Sequence, residues 1–109
     1  MSTSNAPAGS PERRAVKLMS LSQAEYANSI EQLAGASAGR SARDGHTVSL
    51  PVGADGTATL NFTAEPGVTL GGLLSLPRAR IEIVIAGAQP DEADAFLRRF
   101  EIAFQRGGG

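Results

Sequence analysis

The sequence contains no cysteine and no tryptophan, and only one histidine (His46) and one lysine (Lys17). Without cysteine there is no disulfide framework, no thiolate zinc site, no iron–sulfur cluster and no thiol nucleophile. A lone imidazole excludes any centre that needs two. Aromatic residues make up 5% of the chain. No apolar run approaches the ~18 continuous residues of a membrane-crossing helix. A dominant charge is missing as well: ten Lys+Arg stand against eleven Asp+Glu, for a formal net charge of -1. That balance lacks the basic footprint of a typical nucleic-acid binder. All the cations but Lys17 are arginines in a chain rich in Ala and Gly, which reads as compositional bias of the genome before it reads as a basic site.

What is present fits one domain. The chain has 109 residues, 41% of them hydrophobic, enough for a single modest core. Residues 1–14 are small and polar and are broken by Pro7 and Pro11, so they are expected to form a flexible tail. They contain no apolar segment of the secretory kind, which points to a cytoplasmic protein. Residues 15–106 are expected to form the domain, with Gly107, Gly108 and Gly109 as a frayed end.

The strongest local signals are a helix start and a hairpin. Ser22 and Glu25 have capping-box spacing, with Leu21 and Tyr26 placed as a hydrophobic staple. Tyr26, Ala27, Ile30, Leu33 and Ala34 then recur at helical period, and Gly35 can end the helix. Ala15 to Leu21, before it, is a short apolar run read as a strand. Residues 36–45 show no period and are expected to be a loop. His46 to Val52 and Thr57 to Ala64 both alternate, placing Val48, Leu50, Val52, Ala58, Leu60, Phe62 and Ala64 on an inner face. Gly53-Ala54-Asp55-Gly56 joins them as a hairpin turn, with positive φ expected at Asp55-Gly56. Glu65-Pro66-Gly67 reads as another turn. Arg78 to Ala86 is a third alternating strand, with Ala79, Ile81, Ile83 and Ile85 inward. Pro90 suits the first position of a last helix, with Asp91, Glu92 and Asp94 in its first turn. That helix carries Phe96, Phe100 and Phe104 on one line, widened by Ala93, Leu97 and Ala103.

The order β-α-β-β-β-α implies an α+β fold: a two-layer domain with a three- or four-stranded antiparallel sheet and two amphipathic helices on its aliphatic face. The central helix, three strands and helix resemble double-stranded RNA-binding domains in their order alone. Those domains open their last helix with lysines, where this chain has Asp91, Glu92 and Asp94. All five aromatic residues fall on expected core faces, leaving none to stack a base.

Chemistry-bearing patterns are sparse. Asp44-Gly45-His46, with Ser41, Ser49 and Ser75, supplies the residue types of a hydroxyl nucleophile site, but without a nucleophile elbow it reads as a polar loop entering a strand. Asp91, Glu92 and Asp94 fit the dipole of a helix N-terminus better than a metal site, which needs converging oxygens. Gly53 to Gly56 and Gly71-Gly72 lack the residues of a phosphate loop. No cofactor is expected. Arg98 has Asp94 and Glu101 at helical spacing for ion pairing, whereas Arg99 has no acid three or four residues away and shares its side of the helix with Ile102.

Residues 68–77 are unusually apolar for a connection. Val68, Leu70, Leu73, Leu74 and Leu76 imply either a further strand or a bent extension of the next one, with Pro77 at an edge or bulge, or an exposed loop that binds a partner or an apolar ligand. The leading reading is therefore a non-enzymatic protein-interaction or self-associating module, with Leu70, Leu73, Leu74, Leu76, Arg99 and Ile102 as interface candidates. A second reading is a small-ligand domain with a pocket between sheet and helices and His46 at its mouth. A third is weak RNA binding through the arginines.

Overall fold

Alternating side chains decide the sheet. A computed structural model describes residues 12–72 and 74–107. In it β1 (Arg13–Met19), β2 (Thr47–Val52), β3 (Gly56–Leu70) and β4 (Leu74–Ala86) form one antiparallel sheet in the order β1-β4-β3-β2. Three helices, α1 (Gln23–Ala34), α2 (Ala36–Asp44) and α3 (Pro90–Gly107), complete an α+β domain. Most of the tail expected over residues 1–14 lies outside the described residues, as do Leu73, Gly108 and Gly109; β1 already begins at Arg13.

The inner face is the aliphatic one. Val48, Leu50 and Val52 of β2, Ala58, Leu60 and Phe62 of β3, and Ala79, Ile81, Ile83 and Ile85 of β4 are all buried. They form one cluster with Tyr26, Ala27 and Ile30 of α1 and with Ala93, Phe96, Phe100, Ala103 and Phe104 of α3. Ala64, expected inward, is exposed. Strand β2 begins at Thr47, opposite Asn61, so Ala64 lies past its end with a neighbouring strand on one side only.

The helix start behaves as its sequence implies. The Ser22 Oγ accepts from the Glu25 backbone N–H at 3.2 Å, and the Ser22 N–H donates to the Glu25 carboxylate at 2.8 Å. Ser22→Ala should cost roughly 0.5–2 kcal/mol, read as a lower melting temperature. An unchanged melt would mean that the cap does not hold the start of α1.

Four further details differ from expectation. Residues 36–44 are helix α2, not loop. Ala38 and Ala42 recur at helical spacing, but the side they mark is weakly apolar because its buried residues, Gly39 and Ala42, are small, and α1 packs beside it. The Arg43 guanidinium donates to the Asn28 side chain at 2.7 Å and pairs with Glu31 at 3.2 Å. A Cβ at Gly39 would sit 2.7 Å from the Glu31 Cβ, so glycine permits this close approach. In the β2–β3 turn the positive φ belongs to Gly53 (66°) and not to Asp55-Gly56, because Gly56 is already a strand residue paired with Val52.

Glu65-Pro66-Gly67 is not a turn. Strand β3 runs through it, with a register shift between Glu65 and Val68. Pro66 and Gly67 stand against Pro77 alone, the two-against-one count of a β-bulge, and neither proline has an N–H to give the ladder. The chain reverses at Gly71 and Gly72, both at positive φ (60° and 73°).

The fourth detail is β1, whose helix-facing side alternates the charged Arg13 and Lys17 with Ala15 and Met19, which pack against the core. Arg13 pairs with Asp94 of α3 at 2.8 Å, and Lys17 pairs with Glu101 of α3. The two acids expected to pair with Arg98 are thus taken by β1, and Arg98 is left exposed. The opposite side of β1 presents Val16 (47% exposed) and Leu18 (61%) on the sheet face that bears no helix.

Candidate functional site

Two places in the fold offer something to bind: the end of the β3–β4 hairpin and a cleft beside β2.

The pairing of β1 with β4 ends at Met19 opposite Ala79, and that of β2 with β3 ends at Thr47 opposite Asn61. Among the described residues, β3 and β4 pair only with each other from Glu65, which is paired with Arg78, onward to the Gly71-Gly72 turn. This two-stranded arm contributes to a long axis of 54 Å, against 27 and 24 Å for the other two. Its register sets Val68 opposite Leu76 and Leu70 opposite Leu74, while Thr69 and Ser75 are exposed and Leu76 is half-buried. The arm thus holds Leu70, Leu74 and Leu76 of the residues singled out from sequence; Leu73 lies outside the described residues.

The cleft has a volume of about 540 Å³, within the roughly 300–1,000 Å³ of ordinary ligand sites. One wall is β2 from Thr47 through Pro51, and the other is the end of α1 and one side of α2, with Leu33, Ser37, Ala38 and Ser41. Phe96 and Arg99 of α3 close it, and Arg99 is the one charged residue on its lining. A smaller hollow of about 230 Å³ shares Leu33 and Arg99 and reaches Ile102 and Gln32. Arg99 thus lines both hollows. The Arg99 guanidinium lies 5.8 Å from the centre of the Phe96 ring, a cation–π contact that restricts the side chain. Among the described residues, Arg99 takes part in no ion pair.

Arg99 and Ile102, linked in the sequence by helical spacing, do line one groove, and Ile102 is 56% exposed. His46 does not line it. Its ring lies nearly parallel to Phe62, centroids 6.2 Å apart, because residue 46 stands directly across from Phe62, whose N–H donates to the His46 carbonyl at 2.8 Å. Ser41 and Ser49, singled out in the sequence as hydroxyls, both line the cleft, whereas Ser37 and Ala38 carry no sequence signal in a segment that reads as a loop. The missed signal was Pro51, a proline inside an alternating strand, which marks a free edge.

Asp44, His46, Ser41 and Ser49 form no hydrogen-bonded array among the described residues, and Ser75 stands on the arm. No group of three His, Cys, Asp or Glu side chains gathers to hold a metal among the described residues. Burial pushes the pKa of the Tyr26 phenol up to about 12. It belongs to the core and not to the groove. No described helix is long and apolar enough to cross a membrane. No family model, no curated protein and no solved structure matches the chain.

Proposed function

We propose that this protein is a cytoplasmic, non-enzymatic interaction module that self-associates through the β3–β4 arm. The observation that supports this reading is the arm's isolation: among the described residues, no strand pairs with the outer side of β3 or β4 from Glu65 to Arg78. A two-stranded hairpin alone in water is at best marginally stable, and its two open edges are templates for further pairing. The segment nevertheless spends five aliphatic residues, Val68, Leu70, Leu73, Leu74 and Leu76, around its turn. A second copy satisfies both needs. Two arms related by a two-fold axis present the same edge to each other, so one contact surface closes the pair. The exposed Val16 and Leu18 on the helix-free sheet face add apolar surface.

The test uses sedimentation and thermal melting on three proteins. In the first variant, residues 66–77 are replaced by Asn-Gly, which joins the paired Glu65 and Arg78 by a two-residue turn. The second is Leu74→Lys. The wild type should sediment as a dimer at micromolar concentration, and both variants as monomers that melt cooperatively. A wild type that is monomeric at every concentration, variants that remain dimeric, or variants that do not fold would each overturn the reading.

A further inference from the structure

The groove beside β2 is independent of the arm, and its two walls differ in kind. Thr47, Val48, Ser49, Leu50 and Pro51 all line it, although alternate side chains of a strand point to opposite faces. A cavity that touches all five in succession runs along the strand's edge. Backbone directions follow from the ladder. The Phe62 N–H donates to the His46 carbonyl, so residues 46, 48, 50 and 52 direct their backbone groups toward β3. Thr47, Ser49 and Pro51 direct theirs the other way. Pro51 agrees with this parity, since its missing N–H falls on the open side. No described backbone group bonds to Thr47 or Ser49 from that side. The open edge therefore offers the N–H and C=O of Thr47 and of Ser49 and the C=O of Pro51.

These are the parts of a strand-addition site. An extended peptide supplies alternating N–H and C=O groups along one side, and the helix across the groove provides a second wall for its side chains. A compact organic molecule would match neither the spacing nor the number of the edge groups. Charge sets the partner's chemistry. The lining carries one cation and no acid, and Arg99 is held over Phe96 with no ion-pair partner among the described residues. A guanidinium there favours a carboxylate, which it can grip with two parallel bonds. Arg99 also lines the smaller neighbouring hollow with the exposed Ile102, so an apolar residue next to that carboxylate would find cover there.

We propose that the groove binds an extended peptide that adds as a strand along Thr47–Pro51 and places a carboxylate on Arg99. The full-length chain is immobilised and a library of displayed random heptapeptides is selected against it. Selected sequences are then synthesised with free-acid and amidated C-termini, which separates a side-chain carboxylate from a terminal one. Sequences with a carboxylate beside an apolar residue should be enriched. Arg99→Glu should weaken their binding by about tenfold or more, and so should Ser49→Pro, which removes one edge donor. Both positions are exposed, and both variants should melt as the wild type does. In the bound wild type the Thr47 and Ser49 amides should exchange with solvent more slowly, a signature of strand addition that a ligand merely lodged in the cleft would not give. The proposal fails if no carboxylate-bearing sequence is enriched, if Arg99→Glu leaves binding unchanged, or if those two amides are not protected.

Discussion

Phe100→Ala should remove roughly 3–5 kcal/mol of stability, the cost of emptying a large buried aromatic site that collapses only in part. Phe100 is fully buried and lies in the middle of the Phe96–Phe100–Phe104 line on α3. Its ring stacks on Phe104 with centroids 4.1 Å apart. Both belong to the cluster that includes Ile81 and Ile83 on the inner sheet face. The loss would be a large share of the roughly 5–15 kcal/mol that holds a small domain folded. In a domain of this size each kcal/mol moves the melting temperature by about 4–8 °C, so the variant should melt far below the wild type or fail to fold at room temperature. A folded Phe100→Ala protein with an unchanged melting temperature would contradict the packing of α3 on the sheet.

The reason this prediction was legible in the sequence also explains what was not. Phe96, Phe100 and Phe104 recur at i, i+4 and i+8, a period that only a helix turns into one face. Val48 to Val52 and Ala79 to Ile85 alternate, which only a strand turns into one face. Both patterns come from large side chains with one neighbour to face, and the structure places them as the patterns imply. Helix α2 lacks such residues. Ala38 and Ala42 do recur at helical spacing opposite Arg40 and Asp44, but alanines among Ser and Gly make a faint apolar side, and the helix is tied to α1 through Gln23, Asn28 and Glu31. Its order is a property of two segments together, which a reading of residues 36–45 alone could not reach. Charge on β1 was hidden for the same reason. Arg13 and Lys17 face the helices because Asp94 and Glu101 meet them from the other end of the chain.

The candidate site divides along the same line. Arg99 and Ile102 could be found because α3 is strongly periodic, so a cation and an isoleucine off its core face stand out. The groove's opposite wall could not, because it is made by α2. In the arm, Pro66-Gly67 carries the usual sequence mark of a turn, yet a bulge uses the same residues. The difference lies in the partner strand: Pro77 stands opposite, and the hairpin reverses later at Gly71-Gly72. A local turn signal fixes an irregularity in the backbone, and cross-strand pairing decides whether the chain reverses there.

Stability should fall in alkaline solution because of Tyr26, and Tyr26→Phe should abolish that part of the fall. The Tyr26 ring is fully buried, 4.8 Å from Phe62 and 6.0 Å from Phe104 between ring centres. Its hydroxyl has no hydrogen-bond partner among the described residues. Burial raises its pKa from 10.0 to about 12, since an apolar site cannot solvate a phenolate. Above pH 10 the unfolded chain gives up this proton while the folded one keeps it. The unfolded state then binds fewer protons, and stability drops with rising pH by about 1.4 kcal/mol per unit. The loss is absent below pH 10, grows to roughly 2–3 kcal/mol by pH 12 and levels off beyond it. At pH 7 the hydroxyl contributes a desolvation cost with no bond in return. Tyr26→Phe should therefore be neutral or stabilising there by up to roughly 1–2 kcal/mol. Urea midpoints of the two proteins, measured from pH 7 to 11.5, isolate the effect, because every other titrating group is common to both. The advantage of the Phe variant should be flat up to about pH 10 and widen above it. A variant less stable than wild type at pH 7 would mean that the hydroxyl is hydrogen-bonded, and a gap that stays constant through pH 11.5 would mean that the phenol ionises as readily folded as unfolded.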